Sequence, residues 1–148
     1  MIIKEITFDY LWENGQKVIR SYYDELCLRP DLTELSPDLV RYKELERMGL
    51  LQTLGAFEGE EMIGQSVIIY STPMHYSTTP VALSDSLFIL KEHRNGSAGV
   101  RLIRRTEEEA RKRGSKLLIL HGKEGTTFVE LVKKMKYWVQ DILLAREL

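Results

Sequence analysis

A short loop of small residues beside several arginines stands between two ordered-looking segments in the second half of the chain. The loop Arg94-Asn95-Gly96-Ser97-Ala98-Gly99 follows an apolar run and opens directly into residues with helical periodicity. The first turn of a helix has free backbone N–H groups and the positive end of the helix dipole. Small side chains let a phosphate approach those groups closely, so the loop is a candidate anion site. Further positive charge near the same turn comes from Arg101, Arg104 and Arg105.

The spacing of the loop excludes two common nucleotide sites. It matches neither the phosphate loop GxxxxGK[ST] nor the dinucleotide fingerprint GxGxxG. An ordinary glycine-containing turn that caps a helix explains the same residues equally well. The local sequence leaves both interpretations open.

Asp85 is the candidate for acid–base chemistry. It lies in a predicted strand, where a period of two places Val81, Leu83, Asp85, Leu87 and Ile89 on one face. A carboxylate among apolar positions suits a general base that acts directly or through a water held by its serine neighbours at 84 and 86. The alternative is a β-bulge that turns Asp85 away from this face, or a hydrogen bond to a neighbouring loop.

The histidines and the single cysteine offer less. His75, His93 and His121 are too scattered for a metal site, so we expect no metal. His121 ends a predicted strand, where a substrate contact or a proton relay is conceivable. Cys27 fits a small buried hydrophobe better than a nucleophile, because no activating base is visible nearby. A lone cysteine also excludes an internal disulfide and favours a reducing compartment, the cytoplasm.

Length and composition indicate an ordinary globular domain. The 148 residues fit one domain, 1–148, of which 43% are hydrophobic and 29% charged. A net charge of -1 suggests no nucleic-acid or anionic membrane partner. No apolar run reaches the roughly 20 residues of a membrane span, and the N-terminal residues do not form a signal peptide.

The hydrophobic periodicity predicts a mixed α+β fold in the order β-α-α-β-β-β-α-β-α-β, with a mostly antiparallel central sheet flanked by helices. The strand–helix–strand unit late in the chain implies a right-handed crossover and one parallel pair. The predicted strands are Met1–Phe8, Leu50–Phe57, Met62–Tyr70, Val81–Leu90, Lys116–Leu120 and Trp138–Leu144, and the predicted helices are Gln16–Leu28, Ser36–Met48 with Ser36 as N-cap, Ser97–Arg113 and Thr126–Met135.

The loop and the element order together resemble the GNAT superfamily of N-acetyltransferases. Motif A of that family reads Gln/Arg-x-x-Gly-x-Gly/Ala; Arg94 matches its first position and Gly99 its last, while Ser97 replaces the first glycine. The element order of nearly the whole chain is also that of the family. The run Glu92–Gly99 is most similar to phage and prophage members.

The resemblance implies an enzyme that transfers an acetyl group directly from acetyl-CoA to a primary amine of a small molecule or peptide. The acceptor would bind near Tyr22, Tyr23, Asp24 and Glu25, with Asp85 as base. A homodimer through the last strand is a further implication. The residues it assigns to acetyl-CoA are Phe88, Ile89, Leu90, Arg94, Asn95, Gly96, Ser97, Ala98, Gly99 and Val100.

Two departures from the family keep other functions open. Val132 stands where the family has its usual tyrosine acid, and Gly125 replaces the asparagine that often begins the same helix. Tyr137 substitutes for the acid only in another helix register; otherwise it packs in the core with Trp138. The chain is then an active N-acetyltransferase, a catalytically impaired CoA-binding regulatory or interaction protein, or an α+β domain whose Gly96 and Gly99 only form turns.

Overall fold

A computed structural model describes all residues, 1–148, and contains one five-stranded sheet in the order β1-β2-β3-β4-β5. Neighbouring strands are antiparallel except β4 and β5, which are parallel because α4 crosses between them. The strands are β1 (Ile2–Ile6), β2 (Leu51–Glu58), β3 (Glu61–Ser71), β4 (Val81–Ile89) and β5 (Leu117–Ile119), and the helices are α1 (Phe8–Asn14), α2 (Gln16–Leu26), α3 (Leu39–Arg47), α4 (Ala98–Lys112) and α5 (Thr127–Lys134).

Helices cover both faces of the sheet, which confirms the predicted fold class. On one face α1, α2 and α3 pack on a core that includes Phe8, Val18 and Phe88. On the other face α4 buries Leu102 and Ala110 against β2, β3 and β4. Successive side chains of a strand point to opposite faces of the sheet. Each residue of β4 therefore faces either α1–α3 or α4.

The β2–β3 hairpin and α4 also agree with the sequence. Gly59, with a φ of 58°, makes the turn of the hairpin. At the end of α4, Gly114 adopts a φ of 79°, and Ser115 N–H donates to the Ala110 carbonyl at 3.0 Å. This is the hydrogen-bond pattern of a glycine C-cap, so the helix ends where the sequence places its glycine.

Two helix starts differ from the prediction. The first strand ends at Ile6 rather than Phe8, because the Thr7 hydroxyl accepts from Tyr10 N–H at 3.1 Å and caps an additional helix, α1. Helix α3 begins at Leu39 instead of just after Ser36. Its cap is Asp38, whose carboxylate accepts from Arg41 N–H at 3.0 Å. In both cases an oxygen-bearing side chain close to the predicted boundary provides the cap.

The predicted last strand, Trp138–Leu144, is wrong: these residues form no helix or strand. A strand requires a partner for its backbone groups, and β5 pairs only with β4. Trp138 is 69% exposed and therefore does not pack in the core as predicted. Because β5 pairs only with β4, it is an edge strand. Its side chains are half-buried, so the strand is not fully covered on both faces. No helix combines the length and the apolar character that a membrane crossing needs.

Glu107 holds the end of α5 against α4. Its carboxylate accepts from Tyr137 Oη at 2.8 Å and from Arg104 at 2.9 Å, although the residue is only 8% exposed. Burial opposes ionisation, but these hydrogen bonds outweigh it and lower the pKa of Glu107 below its ordinary 4.5. Burial and the hydrogen bond to Glu107 raise the pKa of Tyr137, so its phenol keeps its proton and serves as a hydrogen-bond donor in the structure.

Glu107→Ala is expected to lower the free energy of unfolding by about 1–3 kcal/mol, because it leaves the half-buried Tyr137 hydroxyl without its partner. A lowered pKa stabilises the fold above the ordinary value and loses that contribution as the pH falls through the folded value. Glu107→Gln should therefore show a smaller stability loss between about pH 5 and about pH 2 than the parent. Urea unfolding measures both effects; equal losses from the exposed neighbour variant Glu108→Ala would contradict this role.

Candidate functional site

Asp85 occupies a β-bulge in β4. Across β3, Ser86 lies opposite Val67 and Ser84 opposite Ile68, so Asp85 is the extra residue between them. Val67 belongs to the core under α1 and α2, whereas Ile68 packs with α4. Because directly opposed residues share a face, Ser86 points toward α1–α3, and Asp85 points the same way because it hydrogen-bonds Tyr42 of α3. The predicted single face is therefore wrong.

Beyond the bulge the alternation continues in the opposite phase. Leu87 and Ile89 pack with α4, not with Asp85, and Phe88 joins the core under α2. The sequence left two alternatives for Asp85: a carboxylate placed to act as a base, or a β-bulge that turns it away. The structure combines them. A bulge is present, but it directs the carboxylate toward the helices rather than away from the molecule.

Tyr42 of α3 fixes the carboxylate of Asp85. Its hydroxyl donates to Oδ2 of Asp85 at 2.7 Å, and its ring stacks on Phe8 with centroids 4.0 Å apart. Burial, followed by the Asp85 hydrogen bond, raises the pKa of Tyr42, so this phenol remains a donor. Burial and the charge of Asp85 likewise raise the pKa of Tyr22. One carboxylate thus faces two neutral tyrosines, with Oδ1 free of the Tyr42 bond.

The edge of β4 that faces β5 is only partly paired. The parallel ladder runs from Val81–Leu117 to Leu83–Ile119 and stops immediately before the bulge. β4 itself continues to Ile89, so residues 84–89 have no strand partner on that side, although the Ile89 carbonyl already accepts from Arg94 Nε. At about 3.3 Å per residue, the edge from Asp85 to Ile89 spans about 13 Å, enough for an elongated ligand.

The loop after β4 presents a row of unused backbone donors. Arg94 N–H donates to the Lys91 carbonyl at 3.2 Å, and Arg101 N–H donates to the Ser97 carbonyl at 2.9 Å. The N–H groups of residues 95–100, between these two, have no acceptor within the chain. Ser97 occupies the N-cap position of α4 without making a side-chain cap bond. Gly96 has a φ of 121°, which only glycine adopts readily. The backbone that carries these N–H groups can therefore turn at Gly96.

The guanidinium of Arg94 is already bound. It forms two hydrogen bonds of 2.7 Å with the carboxylate of Glu25, and Nε donates to the Ile89 carbonyl at 2.8 Å. It also lies over the Phe88 ring, 4.8 Å from its centroid. The Arg94 hydrogen bonds lower the pKa of Glu25, so the pair stays ionised. Arg94 therefore fastens the loop to α2.

The other arginines near the loop also have partners of their own. Arg101 donates to the Met1 carbonyl, Arg104 pairs with Glu107, and Arg105 pairs with Glu109. The positive potential of the turn thus comes mainly from its backbone N–H groups and from the dipole of α4, rather than from free guanidinium groups.

Gly99 lies in the first turn of α4 beside α5. A Cβ built at Gly99 would meet only Leu131 Cδ2, at 3.8 Å, which is an ordinary contact. The side chains of Phe88, Ile89 and Leu90 are buried, so these predicted cofactor residues could contribute only through their backbone. The residues predicted for acetyl-CoA therefore form one continuous backbone surface from the free edge into α4.

None of the other predicted residues hydrogen-bonds Asp85, whose side-chain partner is Tyr42. His121 follows β5 and is exposed. Val132 is buried in α5, and Tyr137 is bound to Glu107. No cluster of three or more His, Cys, Asp or Glu side chains could hold a metal ion.

A cavity of about 380 Å³ lies between α2, the segment before α3, and α3 itself; we call it the α2–α3 cavity. Tyr22 and Tyr42, the neighbours of Asp85, are part of its wall, and Lys123 reaches it from the segment after β5. Cys27 is also in the wall, half-buried rather than buried as predicted, and its bond with Thr33 lowers the pKa of the thiol. The remaining wall residues are Tyr23, Leu26, Thr33, Glu34, Leu35, Ser36 and Pro37.

The sequence did not identify Tyr42 or the pairing role of Glu25. Tyr42 lies on the apolar stripe of α3 with Leu39 and Leu45, a pattern typical of core residues. Its partner Asp85 is 43 positions further along the chain. Glu25 was singled out only as a possible acceptor contact, and Arg94 is 69 positions away. No local spacing signals either pair.

Solved structures with the same fold include several acetyltransferases. A ribosomal-protein-alanine N-acetyltransferase from Brucella melitensis biovar Abortus 2308 superposes with a TM-score of 0.73 at 13% identity, and both chains are covered completely, at 100%. An aminoglycoside acetyltransferase from an uncultured soil metagenomic sample, in complex with sisomicin, gives 0.74 at 13% identity over 99% of this chain and 95% of that one.

A transcriptional regulator from Bacillus halodurans C-125 gives a TM-score of 0.76 at 18% identity, over 99% of both chains. No family model and no curated protein matches the sequence. These identities establish the fold alone, and it is the GNAT fold that the sequence predicted. A fold of this kind supports many functions, so function must be argued from the site.

Proposed function

We propose that the protein is an N-acetyltransferase that moves an acetyl group from acetyl-CoA to a primary amine. One observation carries the proposal: β4 holds a carboxylate at its bulge and leads along a free edge to a row of backbone donors. A phosphate site and a general base are thereby joined by a single strand. The GNAT fold supports this assignment.

The residues fit acetyl-CoA. The N–H groups of residues 95–100, at the positive end of the α4 dipole, would bind its pyrophosphate. Because Gly99 has no side chain, the phosphates can approach the first turn of α4. The extended arm would then lie along the free edge of β4, where strand backbone groups can hydrogen-bond amides of the arm. This arrangement brings the thioester toward Asp85.

Asp85 would act as the general base. An ammonium group is not nucleophilic, so the acceptor must lose a proton before its nitrogen attacks the carbonyl carbon. Asp85 Oδ1 would accept that proton while Tyr42 holds Oδ2. A bond forms between nitrogen and the carbonyl carbon, and the bond between that carbon and sulfur breaks. The electron pair leaves with sulfur, and the nitrogen loses its second proton to water as the amide forms.

The leaving thiolate would take its proton from water. Val132 cannot donate a proton, and the phenol of Tyr137 is bound to Glu107 with a raised pKa. His121 is exposed after β5 and could at most relay a proton through solvent. We therefore assign base catalysis to Asp85 and no protein group as the acid.

The acceptor would be a small-molecule or peptide amine that enters through the α2–α3 cavity. The solved structures with this fold include enzymes named for ribosomal-protein alanine and for aminoglycosides, so both kinds of amine are compatible with the fold. We further propose a cytoplasmic location, since Cys27 is a free thiol. A homodimer stays a proposal too, with the exposed residues after Tyr137 as the candidate surface.

One observation favours a second function, that of a CoA-binding interaction protein without turnover. The position of the usual acid holds Val132, and no other tyrosine in α5 replaces it. Such a protein would use the same row of backbone donors and the same free edge.

Calorimetric titration with acetyl-CoA tests both functions together. We expect saturable binding with one site per chain, and no detectable binding would overturn the enzyme and the interaction protein alike. A thiol-release assay with a panel of amines then separates them. Release of CoA that depends on an amine supports the transferase; binding without release from any amine supports the second function.

A further inference from the structure

We infer that the acceptor is a small monoamine with an apolar or aromatic body, rather than a polyamine, an aminoglycoside or another polycation. This inference rests on the proposed function and deepens it. It derives from the chemistry of the α2–α3 cavity.

The cavity wall is mainly aromatic and aliphatic. Tyr22, Tyr23 and Tyr42 contribute aromatic surface, and Leu26 and Leu35 contribute aliphatic surface. Ring faces attract an ammonium group through cation–π interaction and also pack on an apolar body. A volume of about 380 Å³ is near the lower end of small-molecule sites, which run from about 300 to about 1,000 Å³. A compact ligand fits it better than an extended polycation.

The wall is held in place by its own hydrogen bonds. Tyr23 Oη donates to the Thr33 carbonyl at 2.6 Å, and the Thr33 hydroxyl donates to the Arg29 carbonyl at 2.9 Å. The Cys27 thiol lies 3.1 Å from Thr33 Oγ1. The segment between α2 and α3 is therefore tied to the end of α2, so the shape of the cavity exists before a ligand binds.

The charges of the wall nearly cancel. Glu34 and Lys123 are its only formally charged side chains, one of each sign. A single ammonium group could pair with Glu34 and the tyrosine rings, or reach Asp85 past Tyr42. Of the further ammonium groups of a polycation, a second could pair only with Glu34, and a third would have no carboxylate in the wall and would meet the ammonium of Lys123.

The cavity also orients the ligand. Tyr42, which bonds Asp85, and Tyr22, which lies in the field of Asp85, line the same end. Lys123 follows β5 and lies on the side of the strand pair that holds the free edge. An amine drawn toward Asp85 therefore passes Tyr22 and Tyr42, and a further cation against the apolar wall residues Leu26 and Leu35 would be desolvated without a partner.

Direct titration without acetyl-CoA tests the inference. We expect 2-phenylethylamine to bind at least about 10-fold more tightly than spermidine or sisomicin, and 2-phenylethanol, which has the body without the ammonium group, to bind more weakly than the amine. Equal or tighter binding of spermidine or sisomicin would overturn the inference. So would the absence of binding by every amine.

Lys123→Glu tests the charge argument. Reversing this one charge is expected to improve spermidine binding by about 10-fold relative to 2-phenylethylamine. The matched control is Lys134→Glu, which makes the same change in net charge at an exposed position of α5 outside the cavity. An unchanged preference in Lys123→Glu, or the same change in Lys134→Glu, would contradict the inference.

The proposed function and this inference fail differently. If 2-phenylethylamine binds but no amine releases CoA from acetyl-CoA, then acetyl transfer is wrong and the ligand class stands. If CoA is released faster with spermidine than with 2-phenylethylamine, then acetyl transfer stands and the ligand class is wrong.

Discussion

Asp85→Asn is expected to lower kcat by about 100-fold or more while acetyl-CoA binds as in the parent. Loss of a general base typically costs that much or more, because the ammonium proton has no acceptor. Asparagine keeps an oxygen that accepts from Tyr42, so the variant should fold. Steady-state thiol release and calorimetric titration with acetyl-CoA measure the two effects separately. Full turnover in Asp85→Asn would exclude Asp85 as the base.

Tyr42→Phe is the companion variant for that experiment. It removes the hydrogen bond to Oδ2 and keeps the ring that stacks on Phe8. The carboxylate stays, but it loses its fixed orientation, so kcat should fall by less than in Asp85→Asn. A larger loss in Tyr42→Phe would mean that the phenol, rather than the carboxylate, performs the main step.

Gly99→Glu is expected to weaken acetyl-CoA binding by about 100-fold or more. The carboxylate would stand at the start of α4, where the proposal places the pyrophosphate, and like charges in contact repel each other. Calorimetric titration or displacement of a fluorescent CoA analogue measures the loss. Unchanged affinity would show that the phosphates bind elsewhere.

Gly99→Ala is the matched control for the charge and bulk of glutamate. Its Cβ meets only Leu131 Cδ2 at 3.8 Å, so neither the helix nor α5 has to move. Alanine also suits a helix interior better than glycine does. We expect this variant to fold and to keep most of its acetyl-CoA affinity. Thermal unfolding of both variants separates a binding defect from a folding defect.

The sequence predicted those parts of the fold that depend on periodicity and caps. Helix α4 was predicted because its apolar residues recur every three or four positions and Gly114 ends it. The β2–β3 hairpin was predicted from two apolar runs around Gly59. The failure at Trp138–Leu144 has an equally simple cause. An apolar, strand-like pattern describes a side-chain preference, whereas a strand also needs a partner edge, which no local pattern contains.

The candidate site was predictable only along single segments. The row of backbone donors belongs to one continuous run, residues 95–100, and its small residues make it visible. The direction of Asp85 is decided by one extra residue in the β3–β4 register, which a period-two count cannot detect. Tyr42 and Glu25 enter the site because α3 and α2 pack against β4. Such contacts depend on the tertiary arrangement and leave no trace in residue spacing.

Because of the bulge in β4, Asp85 has no partner in the ladder with β3. Ser84 lies opposite Ile68 and Ser86 opposite Val67, so the two halves of the strand would form an ordinary ladder if Asp85 were deleted. Every other residue of β4 would keep its partner and its face. Asp85 is thus a residue that the sheet can omit without rearrangement. The protein carries it as an addition to a complete strand, and the hydrogen bond with Tyr42 is made by this added residue.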